Sequence, residues 1–346
     1  MSRPPNVGTP GAVSGGRAGR ALIIQVVVLA ILVTALIVWV DVRAVFARIA
    51  TLSPVTLAAA LALALASRFV MGYKWRQLIV AAGGRLGLAR AVSVYFQSAF
   101  SSRLVSTGLG GDVLRAWLVG RSGVPGGIVL GSIAVEKLIA LTTNVAFALL
   151  GAVYLLESTR AGDQGVLAWL ILAGVIASGL GVATLVLLPQ VFRRASLPAW
   201  VPARAAGLAV RTLDALTGYR SRPAALAVNF ILAAVELLVQ LLRLYIIGRA
   251  LGIDLPAAEF VAALMVVLFA RRAAGYVEAM GLAEGVSVIA LTFLGIAPET
   301  AVALAVTNYA VVTVAVLPGA YLLWRNRPRG GRHRTHPGAD AGPGTA

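Results

Sequence analysis

Uninterrupted apolar runs of about twenty residues constrain most strongly how this chain can fold. Two of them, 21–40 and 166–188, contain no charged residue at all. A run of roughly 18 or more apolar residues is typical of a helix that spans a bilayer. Of the 346 residues, 59% are hydrophobic and 12% are charged, whereas soluble domains carry about 25% charged residues. The sequence therefore predicts an all-α polytopic membrane protein.

Hydropathy divides the chain into about six full spans, two interrupted apolar regions and two tails. The full spans are predicted at 21–40, 54–73, 138–156, 166–188, 223–247 and 300–323. The interrupted regions, 91–109 and 260–294, contain Gly, Ser, Arg and acidic residues. Residues 1–20 and 325–346 are rich in Gly, Pro and Arg, so both are predicted to be disordered basic tails. This leaves 21–324 as a single membrane domain.

Charges between the apolar runs predict the orientation of the chain. The formal net charge is +17, from 30 Lys and Arg against 13 Asp and Glu. Because the arginines lie between apolar runs, they indicate topology and contacts with anionic lipid rather than nucleic acid. The stretch 189–222 holds six arginines and one aspartate, so it is assigned to the cytoplasm. The loop after the second span is placed on the same side by Lys74, Arg76, Arg85 and Arg90. Both termini are then cytoplasmic, in a bacterial cytoplasmic membrane.

Loops with acidic residues, at 157–163 and 249–259, are assigned to the external side. Together with the cytoplasmic loops, this orientation requires both interrupted regions to return to the side from which they start. We therefore expect two re-entrant or broken-helix hairpins of opposite orientation; a tilted pair of spans or an interfacial helix is the alternative for each. The regions also resemble each other, because Arg103 precedes Gly110-Gly111-Asp112 much as Arg272 precedes 281–284. An inverted repeat with broken helices points to a midplane site in secondary transporters. Chance similarity in an Ala-, Val-, Leu- and Gly-rich background is the alternative.

A glycine motif at the start of a predicted helix is the first candidate for ligand binding. Gly110 and Gly111 permit positive φ and close backbone approach, and Asp112 follows directly. Arg115 lies three residues later on the same helical face, where it can pair with the carboxylate. The motif can hold a lipid headgroup, and an N-cap with a neighbouring ion pair is the simpler alternative.

Charged residues within the apolar segments are the second candidate group. Each costs at least ~2.5 kcal/mol to insert, so such residues usually face a bundle interior or a water-filled path. They are Arg68, Arg103, Glu136, Lys137, Glu236, Arg243, Arg271, Arg272, Glu278 and Glu284. Adjacent Glu136 and Lys137 are expected to have separate partners or to snorkel at the interface. Glu236, Gln240 and Arg243 share one helical face and form either a polar seam or a substrate groove.

The sequence also excludes several kinds of chemistry. There is no cysteine, and both histidines, His333 and His336, lie in the C-terminal tail. Thiolate nucleophiles, hydrolase triads and Cys- or His-based metal sites are therefore excluded, and no ATP-binding P-loop motif is present. We predict no catalytic residue, no metal and no cofactor.

Three sequence runs together resemble a known family. The runs are G-L-G-G-D-V-L-R-A-W at 108–117, S-G-V-P at 122–125 and A-V-E-K-L at 134–138. They resemble the lysylphosphatidylglycerol synthetase transmembrane-domain family, also called the flippase-like domain family, over most of 20–325. Lys74-Trp75 and, in part, 280–284 are similar to further family motifs. The chain departs from the family pattern at Ser106, where a proline is common, at Ala279, which replaces a late glycine, and at Arg271-Arg272, which replaces a proline-rich approach.

The resemblance implies translocation of a polar, phosphate-bearing lipid from the inner to the outer leaflet, with membrane phospholipids as partners. The residues expected at the headgroup are Arg103, Gly110, Gly111, Asp112, Arg115, Glu136, Lys137, Arg272 and Glu284. Nothing after Arg325 is long enough for a synthase domain, so the chain is not expected to be an enzyme. One alternative is a membrane subunit or accessory protein of a lipid-linked transferase that acts on phospholipid or polyprenyl-phosphate, beside a separately encoded lipid-modifying enzyme. A purely structural scaffold is the other.

Overall fold

A computed structural model describes residues 40–104, 110–158, 203–275 and 282–325, and every structural statement below concerns these residues. They form ten α-helices and no strand, which confirms the all-α class. The predicted spans 21–40 (apart from Val40) and 166–188, the tails, Glu278 and Gly281 lie outside them.

The helices follow one another with short connections. In chain order they are α1 (Val42–Ala50), α2 (Pro54–Ala81), α3 (Leu88–Leu104), α4 (Gly110–Gly120), α5 (Gly126–Ser158), α6 (Ala203–Gly218), α7 (Pro223–Ala250), α8 (Ala257–Gly275), α9 (Leu282–Phe293) and α10 (Pro298–Arg325). A 3-10 turn, Tyr219–Ser221, connects α6 to α7.

Four helices, α2, α5, α7 and α10, are long and apolar enough to cross a membrane, and they correspond to four of the predicted spans. Three of them have 28 residues and α5 has 33. At about 1.5 Å per residue, 28 residues extend roughly 42 Å, beyond a hydrocarbon core of about 30 Å. The helices therefore continue past the apolar runs that predict them.

One prediction about the end of α2 is wrong. Lys74 was assigned to a cytoplasmic loop, but α2 continues to Ala81 and the lysine is only 1% exposed. Its Nζ lies 3.1 Å from Oε2 of Glu236, which is also buried. A charge compensated by a buried partner does not end a membrane helix, so counting charges placed this helix end too early.

Two packed helix pairs correspond to the interrupted regions. The first pair is α3 and α4, of which only α3 overlaps the predicted region 91–109, and the second is α8 and α9, which both overlap 260–294. The second helix of each pair is short, with 11 residues in α4 and 12 in α9. Such helices are about 16–18 Å long, roughly half the thickness of the hydrocarbon core. The second pair agrees with the hairpin predicted at 260–294, whereas the first extends to Gly120, beyond the predicted end at residue 109. The lengths of α4 and α9 favour re-entry over two full spans.

The helices α1–α5 and α6–α10 repeat the same order of elements. A proline begins both α2 and α7, which are equally long. Left-handed glycines end them at the same spacing, Gly83 with φ 89° and Gly252 with φ 82°. The packing is reciprocal, because α3 packs against α10 as α8 packs against α5, and the equivalent helices α2 and α7 pack against each other. The described residues therefore contain an internal repeat.

Side-chain contacts between α2 and α7 give their relative direction. The backbone oxygen of Lys74 accepts a hydrogen bond from Nδ2 of Asn229 (2.8 Å). Four residues further on, the oxygen of Leu78 accepts one from the hydroxyl of Tyr219 (2.8 Å), which precedes α7. Advancing along α2 thus means moving back along α7. The two helices are antiparallel, and since they are equivalent elements, the two repeats are inverted relative to each other.

Candidate functional site

A cavity of about 230 Å³ lies between α2, α3, α4 and α10. Three of the residues predicted at the headgroup line it: Arg103, Asp112 and Arg115. The complete lining is Arg68, Tyr95, Ser98, Ala99, Ser102, Arg103, Asp112, Arg115, Val312 and Val316. The wall therefore combines three arginines and one carboxylate with hydroxyl and apolar groups.

Arg115, in the cavity wall, is held by contacts with four side chains. It donates from Nη2 to Oδ1 of Asp112 (2.6 Å) and from Nη1 to Oε2 of Glu136 (2.7 Å). Its guanidinium carbon lies 4.9 Å from the ring centre of Trp75 and 4.8 Å from that of Tyr95. With two carboxylates and two aromatic rings around it, this guanidinium is fixed in position and its charge is compensated.

Two further contacts close this cluster. Nζ of Lys137 lies 2.5 Å from Oδ2 of Asp112, and the hydroxyl of Tyr95 donates to Oε1 of Glu136 (3.0 Å). The adjacent Glu136 and Lys137 thus have separate partners, as expected. Glu136 is only 4% exposed, so its carboxylate does not snorkel to the membrane interface. Together with Arg115, the cluster contains two cations and two carboxylates, so its formal charges balance.

Arg68 and Arg103 are not balanced in this way. Arg68 donates only a long contact from Nη1 to Sδ of Met71 (3.6 Å), and its buried Nε has no hydrogen-bond partner. The guanidinium of Arg103 stacks 4.5 Å from the ring centre of Tyr309. Within the described part of the chain, neither arginine has a carboxylate within 4.0 Å. The cavity therefore presents two uncompensated positive charges.

Sequence reasoning missed Arg68 as a member of this site. The available signal was a lone arginine in the otherwise uncharged run 54–73 of α2. An arginine in such a run needs a polar environment. The sequence identified it as an intramembrane charge but could not show that it converges with Arg103, which lies on another helix.

The two motif glycines act through their small size rather than through backbone conformation. Gly110 begins α4 and Gly111 lies within it, so neither has the positive φ that the sequence allowed. A Cβ on Gly111 would lie 2.9 Å from the backbone oxygen of Ser98 and would overlap Oγ of Ser102. Gly111 thus allows α4 to approach α3 closely, which brings Asp112 and Arg115 to the cavity.

Two arginines of the second hairpin form ion pairs with residues that do not line the cavity. Nη2 of Arg271 lies 2.8 Å from Oε1 of Glu284, which joins α8 to α9. Nη2 of Arg272 lies 4.0 Å from Oε1 of Glu236. Neither Arg272 nor Glu284 lines the cavity. The structure therefore does not bring these two residues together with Arg103 and Asp112 around one space.

The predicted polar seam on α7 is present in the structure. Gln240 donates to Glu236, which also binds Lys74, and both Glu236 and Arg243 are buried. Nε of Arg243 donates to Oδ1 of Asn308 on α10 (3.0 Å). The seam thus links α7 to α2 at Glu236 and to α10 at Arg243. Among the described residues, no group of three or more acidic or histidine side chains could hold a metal ion.

Comparison with known proteins gives one match and one negative result. A family model described as the lysylphosphatidylglycerol synthase TM region matches residues 22–319. A search of curated proteins found no significant match.

Proposed function

Because this chain belongs to the lysylphosphatidylglycerol synthase TM region family, we propose that it moves an anionic, phosphate-bearing lipid between the leaflets of the bacterial cytoplasmic membrane. The headgroup binds in the cavity between α2, α3, α4 and α10. The acyl chains remain in the surrounding bilayer.

The observation that carries this proposal is the pair of uncompensated arginines. Arg68 and Arg103 line the same cavity and have no carboxylate partner in the described residues. Planar guanidinium groups match phosphate oxygens in charge and hydrogen-bond geometry. Arg115 is already held by Asp112 and Glu136, so it contributes to the shape of the site more than to its net charge.

The size and the wall of the cavity support a headgroup as the ligand. Pockets for drug-sized molecules measure roughly 300–1,000 Å³, and this cavity of about 230 Å³ suits a compact polar group. Val312 and Val316 of α10 and Ala99 of α3 form an apolar part of the lining. A phosphate at the arginines can therefore have the first apolar atoms of its lipid beside these side chains.

The charge of the cavity also predicts which lipids move. An anionic phospholipid compensates Arg68 and Arg103, a zwitterionic one does so in part, and a lysyl-modified lipid brings additional positive charge. We therefore expect selectivity in the order anionic, zwitterionic, lysyl-modified.

The test is leaflet exchange in proteoliposomes that contain the purified full chain. Fluorescent anionic, zwitterionic and lysyl-modified phospholipids are compared in the wild type and in Arg68→Gln, Arg103→Gln, Asp112→Asn and Arg115→Ala. The matched control is Arg85→Gln, which removes an exposed loop arginine outside the cavity. We expect at least about a tenfold loss of anionic-lipid exchange in the two Gln variants of cavity arginines, since each removes a charge-assisted contact.

Two results would contradict the proposal. Exchange that does not depend on the headgroup, or that survives both cavity-arginine substitutions, would separate lipid movement from this site. No exchange with any lipid, together with headgroup modification in the presence of a membrane-bound transferase, would instead support an accessory subunit of a lipid-linked transferase.

A further inference from the structure

Arg243 is a buried cation that does not belong to the lining of the cavity. It is 4% exposed, and its Nε donates to the amide oxygen of Asn308 (3.0 Å). Its Nη1 is buried and has no hydrogen-bond partner. No carboxylate in the described ranges forms an ion pair with it. Burial of an ionised group without a partner is costly, so this site is incomplete as it stands.

The internal repeat provides a comparison for this arginine. Lys74 lies 20 residues after Pro54 at the start of α2, and Arg243 lies 20 residues after Pro223 at the start of α7. Lys74 pairs with Glu236, which lies 13 residues into α7. The residue at the corresponding position of α2 is Ser67. One repeat therefore has a carboxylate at the position where the other has a hydroxyl.

A second carboxylate is replaced near the same arginine. Glu136 and Asn308 each lie ten residues after the first residue of their helix, α5 and α10 respectively. Glu136 compensates Arg115 with a carboxylate, whereas Asn308 offers Arg243 only a neutral amide. At each of these two pairs of equivalent positions, one repeat has a glutamate and the other has a neutral side chain, Ser67 or Asn308.

The antiparallel packing of α2 and α7 leads us to infer that Ser67 lies near Arg243, as Glu236 lies near Lys74. Ser67 precedes Lys74 by seven residues, and Arg243 follows Glu236 by seven residues. Seven residues are almost two full turns, so each residue stays on the face that carries the ion pair, about 10.5 Å further along the helices. The hydroxyl of Ser67 is 1% exposed and has no hydrogen-bond partner. The two unpartnered polar groups thus belong to residues that the inverted repeat relates to Glu236 and Lys74.

We propose that chloride, a small monovalent inorganic anion, binds between Nη1 of Arg243 and Oγ of Ser67. The anion accepts hydrogen bonds from the guanidinium and the hydroxyl and supplies the charge that Glu236 supplies to Lys74. Neither residue belongs to the lining of the lipid cavity, although Arg68 of that lining follows Ser67 directly in α2. Chloride binding does not depend on the proposed lipid transport.

The test measures binding of radioactive chloride to the purified full chain and its thermal unfolding in detergent. Chloride and bromide are compared with gluconate at constant ionic strength. We expect saturable binding of one chloride per chain and a higher unfolding temperature in chloride and bromide than in gluconate. Arg243→Gln should weaken binding at least about tenfold, and Ser67→Ala should weaken it less. Arg249→Gln, which removes a partly exposed arginine of the same helix, should bind like the wild type.

Asn308→Asp is the decisive variant, because it supplies a carboxylate within reach of Arg243. It should fold without chloride and show no chloride dependence of its unfolding temperature. If Arg243→Gln does not fold, this variant and Ser67→Ala still decide the question. Absence of halide binding in the wild type, or unchanged chloride dependence in Asn308→Asp, would overturn the proposal and indicate a water molecule in the site.

Discussion

Charged residues inside this membrane domain differ in how completely their neighbours compensate them. Lys74 and Arg115 have buried carboxylates at 2.6–3.1 Å, whereas Arg68, Arg103 and Arg243 have none in the part of the chain that the structure describes. A compensated pair contributes to the architecture of the bundle, since removing either partner leaves a buried charge behind. An uncompensated buried cation instead favours the binding of an anion that is not part of the protein. This distinction separates the residues that we expect to hold the helices together from those that we propose as ligand-binding residues.

The pair Lys74–Glu236 allows a direct test of the architectural role. Lys74→Met leaves the buried Glu236 carboxylate with Arg272 at 4.0 Å as its remaining cation. We expect a loss of about 3–5 kcal/mol in the free energy of unfolding. The double variant Lys74→Met/Glu236→Leu removes both charges and should recover most of this loss. Denaturant unfolding in detergent micelles measures both, and equal destabilisation of the single and double variants would contradict this account.

The buried hydroxyl of Tyr219 leads us to predict that the stability of the protein falls at alkaline pH. It lies in the turn before α7, outside the membrane-spanning helices, and burial raises the pKa of its hydroxyl above the usual value of about 10. Below about pH 10 both folded and unfolded chains keep this proton. Above it the unfolded chain loses the proton first, so this hydroxyl lowers the stability as the pH rises towards its pKa in the folded protein.

Tyr219→Phe should make unfolding less dependent on pH between about 10 and 11. The variant also loses the hydrogen bond to the oxygen of Leu78, so it should be about 1 kcal/mol less stable at pH 8. Unfolding of both proteins across this pH range gives the two slopes. A slope in Tyr219→Phe equal to that of the wild type would contradict this account.

The sequence predicts local pairs of residues but not distant ones. The Asp112–Arg115 pair follows from their i, i+3 spacing on one helical face. The partner of Arg115 on α5, Glu136, is 21 residues away and follows a turn, so only tertiary packing reveals it. The convergence of Arg68 with Arg103 has the same origin. Hydropathy identifies these charges as unusual, but it carries no information about which helices meet.

At the level of helices, close approach depends on glycines at the contacts. The reciprocal contacts of the repeat, α3 with α10 and α8 with α5, each contain one such glycine. A Cβ on Gly319 of α10 would overlap the backbone oxygen of Phe96 in α3, and one on Gly151 of α5 would meet the backbone of Ala262 in α8. Gly111 allows the equivalent approach between α3 and α4. Small residues let helix backbones approach closely in a membrane, where burial of apolar surface does not drive association.

Gly111→Ala tests whether this approach positions the cavity wall. The added methyl group meets the backbone oxygen of Ser98, which cannot move aside as a side chain can. We expect a loss of about 1–3 kcal/mol in stability, and reduced lipid exchange because Asp112 and Arg115 move with α4. Gly120→Ala is the matched control in the same helix, where a Cβ would meet no atom within 4 Å. Unfolding and leaflet-exchange assays that show equal effects for the two variants would contradict this role.

Helix existence could be predicted well from the sequence, and helix ends less well. Apolar runs predicted α2, α5, α7 and α10, but the runs ended where charges began. In α5 the run 138–156 omits Glu136 and Lys137, although the helix begins at Gly126. Those charges are satisfied by α4, so they lie within the helix. The interrupted apolar region 260–294 includes the short helix α9, whereas α4 begins at Gly110, just after the predicted region 91–109.

For the whole molecule, the inverted repeat agrees with the orientation that loop charges predict. The positive-inside rule places the loop after α2 in the cytoplasm and the loop after α7 outside. These loops correspond in the repeat, each with a left-handed glycine. Antiparallel packing of α2 and α7 requires the two loops to lie at opposite ends of the helix pair. The loop charges and the packing of α2 against α7 thus support the same arrangement.

Side-specific labelling of single cysteines tests this arrangement, since the chain has no cysteine of its own. Arg85→Cys and Asp254→Cys place a thiol in the exposed loops after α2 and α7. Ser122→Cys and Ala297→Cys place one at the exposed far end of each hairpin. In oriented vesicles, a membrane-impermeant maleimide should label positions 85 and 122 only from the cytoplasmic side, and positions 254 and 297 only from the external side.

Each outcome of the labelling addresses a different part of the arrangement. Labelling of Arg85→Cys and Asp254→Cys from the same side would contradict the inverted orientation of the two repeats across the membrane. Labelling of Arg85→Cys and Ser122→Cys from opposite sides would mean that α3 and α4 together cross the membrane once. The 11 residues of α4 extend about half the hydrocarbon thickness. A return to the cytoplasmic side would therefore leave the first turn of α4, with Asp112 of the cavity wall, within the membrane.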